Sequence, residues 1–186
     1  MSNLKKLQSK QLDEFFEAIL MLKTKDDCYA FFEDVCTLRE LNSISQRLEV
    51  AKLLKIRNKY LKENKRNTEE FAIYEKEFVK YASYIIFTRL EYVKSLSIIL
   101  NLQYRKLFNI EQELNLKYET NLDKTGKVTV EMIQESLQKE ILQKKHQEDR
   151  YKFSLVGPHK DDYKFLLNGY EAKISASQGE KKSIIF

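Results

Sequence analysis

Turn-forming residues are scarce in this sequence. One Pro and four Gly among 186 residues leave little material for a turn-rich β fold and favour long helices. Cysteine is scarce too. Cys28 and Cys36 are too few for a disulfide framework; they read as free thiols of a reducing compartment, buried as small apolar residues on helix-rich sequence. No run of about 18 apolar residues exists, so no membrane span is expected. The opening Met-Ser-Asn-Leu-Lys-Lys lacks the apolar stretch of a secretory signal. Together these absences imply a cytoplasmic protein. A Gly-rich phosphate loop is missing as well: Lys127 follows Gly126, but no Gly precedes the pair at P-loop spacing.

What is present is apolar enough for a core, at 42%, and unusually charged, at 33%. The net charge of +5 is unevenly placed: residues 1–54 hold 8 basic and 9 acidic residues, and residues 55–186 hold the other 25 and 19, a balance of +6. A mild positive balance is compatible with a nucleic-acid partner without requiring one.

The first 54 residues read as three helices. Leu12, Phe15, Phe16, Ile19 and Leu20 follow a 3.6-residue period. After a break at 24–27, where Asp26 or Asp27 can cap, a second helix carries Tyr29, Phe31, Phe32 and Val35. Thr37-Leu38-Arg39-Glu40 is a capping box, and Leu41, Ile44, Leu48, Ala51 and Leu54 trace a stripe beyond it. The run Cys36-Thr37-Leu38-Arg39-Glu40-Leu41-Asn42-Ser43-Ile44-Ser45-Gln46-Arg47-Leu48-Glu49-Val50-Ala51 resembles the YerC/YecD branch of Trp-repressor-like proteins. The likeness covers about residues 4–54 and implies a dimer core. The helix-turn-helix that should follow in that family is replaced by Lys55-Ile56-Arg57-Asn58-Lys59-Tyr60-Leu61-Lys62.

A long arm follows. Thr68-Glu69-Glu70 can start a helix in which Phe71, Phe78, Ile85, Tyr92 and Ile99 recur every seven residues, accompanied by Tyr74, Tyr81 and Leu96. That spacing reads as a packing seam. Leu114, Leu116 and Tyr118 alternate as a short strand, 121–128 reads as a loop, and Val130, Ile133, Leu137 and Ile141 mark a helix to about His146 that packs back on the arm. Asn168-Gly169 between Tyr163–Leu167 and Tyr170–Ile174 is a hairpin signal.

Three stretches resemble the RecF family of DNA replication and repair ATPases: Leu54–Lys62, a basic L-K-x-R-N-x-x-L-K helix; Gly157-Pro158-His159-Lys160-Asp161-Asp162; and Ser177-Gln178-Gly179, which looks like an ABC-type signature, although Glu180-Lys181-Lys182 departs from the usual Gln-Gln-Arg. The resemblance implies ATP-dependent binding to DNA at gaps, RecO and RecR proteins as partners, recombinational repair and SOS-response roles, and ATP with Mg²⁺ in the complete family. Ser177, Gln178 and Gly179 would serve a nucleotide across a dimer, with no cofactor held by this chain alone, because Walker A and Walker B sequences are absent. No catalytic residue is assigned. The Gly157–Asp162 motif has no assigned role; His159 with Asp161 and Asp162 is too small a set for a metal site. Arg57, Lys59, Lys62, Lys65 and Arg66 form a basic cluster, read either as a solvated face or as phosphate contacts.

The expected architecture is therefore mainly α with a small β element. It comprises a repressor-like segment (1–54), a RecF-like arm (55–150) and an ATPase-lobe segment (151–186) expected to be poorly ordered, since its hairpin has no evident sheet to join. Alternatives are a Trp-repressor-like regulator or dimerisation module working through residues 4–54, and an in-frame fusion product without function.

Overall fold

The computed structural model describes residues 8–108, 112–121 and 128–185, and the loop expected at 121–128 lies mostly outside them. The chain divides into two compact units, residues 1–45 and 46–186.

The first unit holds α1 (Lys10–Met21), α2 (Lys25–Val35) and the start of α3 (Leu38–Lys62). Ser9 caps α1 by accepting the Leu12 N–H. Thr24 caps α2 in a capping box whose second member is Asp27, so Asp27 supports the cap and is not itself the cap residue. The Thr37–Glu40 box forms as expected, with reciprocal bonds of 2.8 and 3.3 Å. Phe15 packs on Phe31, and Phe31 on Phe32. Yet no residue of α1 or α2 is fully buried, and Leu20 and Met21 are 84% and 77% exposed. Cys28 and Cys36 are free and half-buried, short of the core position expected.

The second unit holds the rest of α3, α4 (Glu69–Phe108), β1 (Leu114–Glu119), α5 (Val130–Gln143), α6 (Lys145–Tyr151), β2 (Asp162–Leu167), β3 (Tyr170–Glu171), α7 (Ala172–Ser175) and α8 (Gln178–Ile185). On α3 the buried line is Val50, Leu53, Arg57 and Leu61, while Ile44 and Leu48 of the expected stripe are exposed.

Thr68 starts α4 by accepting the Phe71 N–H, and its 40 residues run about 60 Å at 1.5 Å per residue. The seven-residue seam holds only at its start. Phe71, Phe78 and Ile85 are buried, whereas Tyr92 and Ile99 are exposed. A heptad repeat falls back about 20° per repeat on a straight helix, so by Ile99 it has turned well away. The buried line instead joins Phe71, Ala82, Val93 and Tyr104, an eleven-residue spacing that advances about 20° per repeat. Ile133, Leu137 and Ile141 of α5 pack in one cluster with Phe78, Val79, Ala82 and Ile86 of α4, so α5 does fold back on the arm.

The sheet is antiparallel in the order β1-β2-β3. Leu114 to Glu119 pair with Leu167 to Asp162 along their full length. This corrects the expectation of a hairpin without a sheet: the partner strand lies in the same chain, ahead of α5. Asn168 and Gly169 take positive φ, 51° and 84°, as a two-residue hairpin turn demands. The second strand of that hairpin is shorter than expected, because the chain turns into α7 at Ala172. The outer edge of β1 is covered by α4: Asn101 Oδ1 and Ser97 Oγ accept the Leu114 and Leu116 N–H groups at 3.1 and 2.9 Å. A sheet edge satisfied this way presents fewer free groups to other chains. Ile184 of α8 packs on Tyr104, Leu114, Leu167, Ala172 and Ala176, so the signature helix also has a place in the core. Among the described residues, no helix is long and apolar enough to cross a membrane.

Candidate functional site

The basic cluster expected on one helix is split: Arg57, Lys59 and Lys62 lie on α3, whereas Lys65 and Arg66 lie in the turn beyond its end. Lys59, Lys62 and Lys65 are exposed, as is Lys55. Arg57 and Arg66 are not available to a partner in the same way. Arg57 is wholly buried and lies between the rings of Phe71 and Phe78, 5.5 Å from each centroid. Its donors are all used. Nη1 and Nη2 reach the two oxygens of Glu148 at 3.2 and 2.9 Å, Nη2 and Nε reach Glu75 at 2.7 and 3.2 Å, and Nη1 reaches Ser154 Oγ at 2.6 Å. Arg66 bonds Glu148 and Asp149. Leu155 donates its backbone N–H to Glu148, and Ser154 donates its own to Asn58 Oδ1. The Arg57-Asn58 pair of the RecF-like helix thus holds the segment that leads into the Gly157 motif.

This pattern satisfies a buried charge. Burial alone would push the Glu148 carboxyl up and the Arg57 guanidinium down. Their mutual bonds and charges, with Leu155 and Arg66 on one side and Glu75 on the other, outweigh it, so both stay ionised. A folded-state pKa below the unfolded value of about 4.5 for Glu148 gives stability that is full above that pH and lost as pH falls through the folded value. Glu148→Gln is therefore expected to show a smaller drop in urea midpoint between pH 6 and pH 3 than the unmodified chain. Equal drops would remove Glu148 as the source.

The Gly157–Asp162 motif is docked on the arm. Gly157 has φ 128°, and a Cβ there would stand 2.6 Å from Phe78 Cζ. Arg89 of α4 donates to the Pro158 carbonyl at 2.6 Å and lies 6.0 Å from the Tyr118 ring centroid. Tyr118 donates to Asp161; burial pushes both groups' pKa up. His159 Nε2 is 3.3 Å from the Ser154 carbonyl, and desolvation of its ring lowers its pKa. Lys160 lies 5.3 Å from the Phe153 ring centroid, and Asp162 Oδ1 accepts the Tyr163 N–H. The motif's carboxylates and imidazole thus face different partners and do not converge on one point. Among the described residues no cluster of three or more His, Cys, Asp or Glu is arranged to hold a metal.

The signature turn forms a helix start. Ser177 Oγ accepts the Glu180 N–H at 3.3 Å, and Glu180 accepts the Ser177 N–H at 2.8 Å. Gln112 holds the other oxygen of Glu180 at 3.3 Å. The Ser177 bonds and Gln112 keep that carboxyl below its ordinary pKa. The Ser177 N–H is thus engaged by an internal carboxylate, which a phosphate bound at that donor would have to displace. Gln178 and Gly179 form the first turn of α8, with open space where a Gly179 Cβ would sit. Glu180, which departs from the usual signature sequence, takes a capping role whose sequence sign is the S-x-x-E spacing of Ser177 and Glu180.

The elements and sites define two likenesses in one chain: a Trp-repressor-like helical segment, followed by a RecF-like helical arm with its small sheet. Residues 10–68 match the Trp repressor protein family. An uncharacterized protein YerC of Bacillus subtilis is 51% identical over 57 residues, covering 31% of this chain and 55% of YerC. The DNA replication and repair protein RecF of Symbiobacterium thermophilum is 29% identical over 152 residues, covering 78% of this chain and 40% of that protein. The solved structure of the recombination mediator protein RecF with ATP, in the RecFOR pathway, superposes with a TM-score of 0.70 at 25% identity, covering 77% of this chain and 39% of that one. The chain thus spans less than half the length of these RecF relatives. The repressor match runs past residue 54, where the sequence likeness was expected to end. Within 38–62, however, α3 is one continuous 25-residue helix, not a helix-turn-helix.

Proposed function

We propose that this chain acts in RecF-type DNA repair in the cytoplasm. The observation that carries the reading is the superposition on RecF of 77% of the chain at a TM-score of 0.70. In this reading Lys59, Lys62 and Lys65, with Lys55, meet DNA phosphates without reading base edges. Ser177-Gln178-Gly179 faces a nucleotide whose P-loop and Mg²⁺ are held elsewhere, and RecO and RecR proteins are partners. Binding through phosphates is salt-steep and sequence-independent. Lys55→Ala/Lys59→Ala/Lys62→Ala should lower the slope of log affinity against log salt by about 2–3, since each lost phosphate contact removes about 0.9. An unchanged slope would sink the assignment of these lysines. A hundredfold preference for a particular palindrome would favour a repressor-like reader.

A second reading, a dimerisation module, is favoured by the absence of any fully buried residue on α1 and α2. Large apolar groups left open on so small a unit are suited to cover by a second copy. Sedimentation at tens of micromolar is expected to give a dimer that Phe16→Glu/Leu20→Glu converts to monomer. A monomeric unmodified chain would remove this reading.

A further inference from the structure

Tyr151 and Phe153 stand side by side at the surface, 54% and 40% exposed. Their ring centroids are 6.0 Å apart with 35° between the planes. Lys152 makes this possible. It ends α6 in the left-handed region, φ 61°, and the reversal brings residues two apart onto one side. A Lys in that conformation is uncommon, because its Cβ crowds the backbone. Neither ring belongs to a core cluster.

The charges that lie against the two rings are both positive. Arg150 lies 6.0 Å from the Tyr151 centroid, and Lys160, delivered by the Gly157 loop, lies 5.3 Å from that of Phe153. Lys152 donates to Asn64, a neutral partner that leaves its charge uncompensated. The preceding carboxylates are committed: Glu148 to Arg57 and Arg66, and Asp149 to Arg66. The stretch 150–160 contains no acidic residue of its own. Exposed rings flanked by cations suit a ligand with both π faces and anionic groups.

We propose that Tyr151 and Phe153 are a stacking platform for unpaired bases of single-stranded nucleic acid, with Arg150, Lys152 and Lys160 meeting its phosphates. Aromatic stacking with a basic flank binds single strands independently of sequence, because every base has a π face. The inference rests on the DNA-binding reading above and adds to it the form of the strand and the residues that hold it. The sequence alone shows Arg150-Tyr151-Lys152-Phe153 but not the arrival of Lys160, nor the inward commitment of Asp149.

The test is fluorescence anisotropy of the full chain with labelled oligothymidylate of about 20 nucleotides and with duplex of equal length. Tyr151→Ala/Phe153→Ala should weaken single-strand binding about tenfold or more, while duplex affinity changes less than about twofold. Tyr151→Phe and Phe153→Tyr keep the rings and should keep the affinity. Tyr151→Ala alone, at a site clear of Ser154, should lose at least about threefold and guards against a folding defect in the double variant. The lysine triple variant on α3 should weaken both ligands. Unchanged single-strand affinity in the ring variants, or equal loss on both ligands, overturns the platform. An unmodified chain that binds duplex but not single strand overturns the platform and leaves the DNA reading standing; binding to neither overturns both.

Discussion

Arg57→Met is expected to destabilise residues 46–186 by about 3–5 kcal/mol in urea unfolding, the range found when one partner of a buried ion pair is removed. The loss is not that of a contact alone. Methionine would leave Glu148 buried, with only Arg66 and the Leu155 N–H to hold its charge, and would leave Ser154 Oγ without its donor. Lysine should fare nearly as badly, because a point charge cannot serve Glu148 through two oxygens while also reaching Glu75 and Ser154. Arg57→Met/Glu148→Met removes both charges and should recover much of the loss, since replacing a whole buried pair by apolar groups is often neutral or better. A loss below about 1 kcal/mol for the single variant would show that the site opens to water and that the pair is not structural.

Gly157→Ala is expected to cost about 3 kcal/mol, combining a backbone angle that side chains rarely adopt with overpacking against a fixed ring. The two parts can be separated. At φ 128° the strain belongs to residue 157 itself, while the 2.6 Å approach belongs to Phe78. Phe78→Leu in the alanine background should relieve the approach and leave the strain, so the two changes together should cost less than their separate sum. Simple additivity in equilibrium unfolding would place the whole effect in the backbone.

The helices of this fold were readable because their signals are local. The Thr37–Glu40 box, the Thr68 start and the Ile133–Leu137–Ile141 spacing each lie within a few turns of chain, and each appears in the structure. The Asn168-Gly169 turn was readable for the same reason. Long-range pairing was not. Nothing near Leu114–Glu119 marks it as the partner of Asp162–Leu167, although both alternate and both hold aromatic residues at matching positions, Tyr118 opposite Tyr163. The seven-residue seam of α4 misled because apolar residues outnumber buried positions on an arm that packs on one side only. Tyr92 and Ile99 fit the period but meet no neighbour that buries them. The candidate site divided in the same way. Charge type was legible in Arg57, Lys59, Lys62, Lys65 and Arg66, but which of them turn inward depended on Glu148 and Asp149, more than 80 residues further along the chain.

That distance has a consequence in time. Arg57 meets Glu75 at a separation of 18 residues, but Glu148 at 91 and Ser154 at 97. On a ribosome, which adds about 5–20 residues per second, the guanidinium emerges several seconds before its second set of acceptors. During that interval α3 and the first turns of α4 can form a hairpin with Arg57 half-paired to Glu75 and sheltered by the rings of Phe71 and Phe78. In such a hairpin the place of Glu148 beside Arg57 would stay open until that residue is made. Closure follows the synthesis of the whole arm, so the buried pair reports that α4, β1 and α5 have already been made.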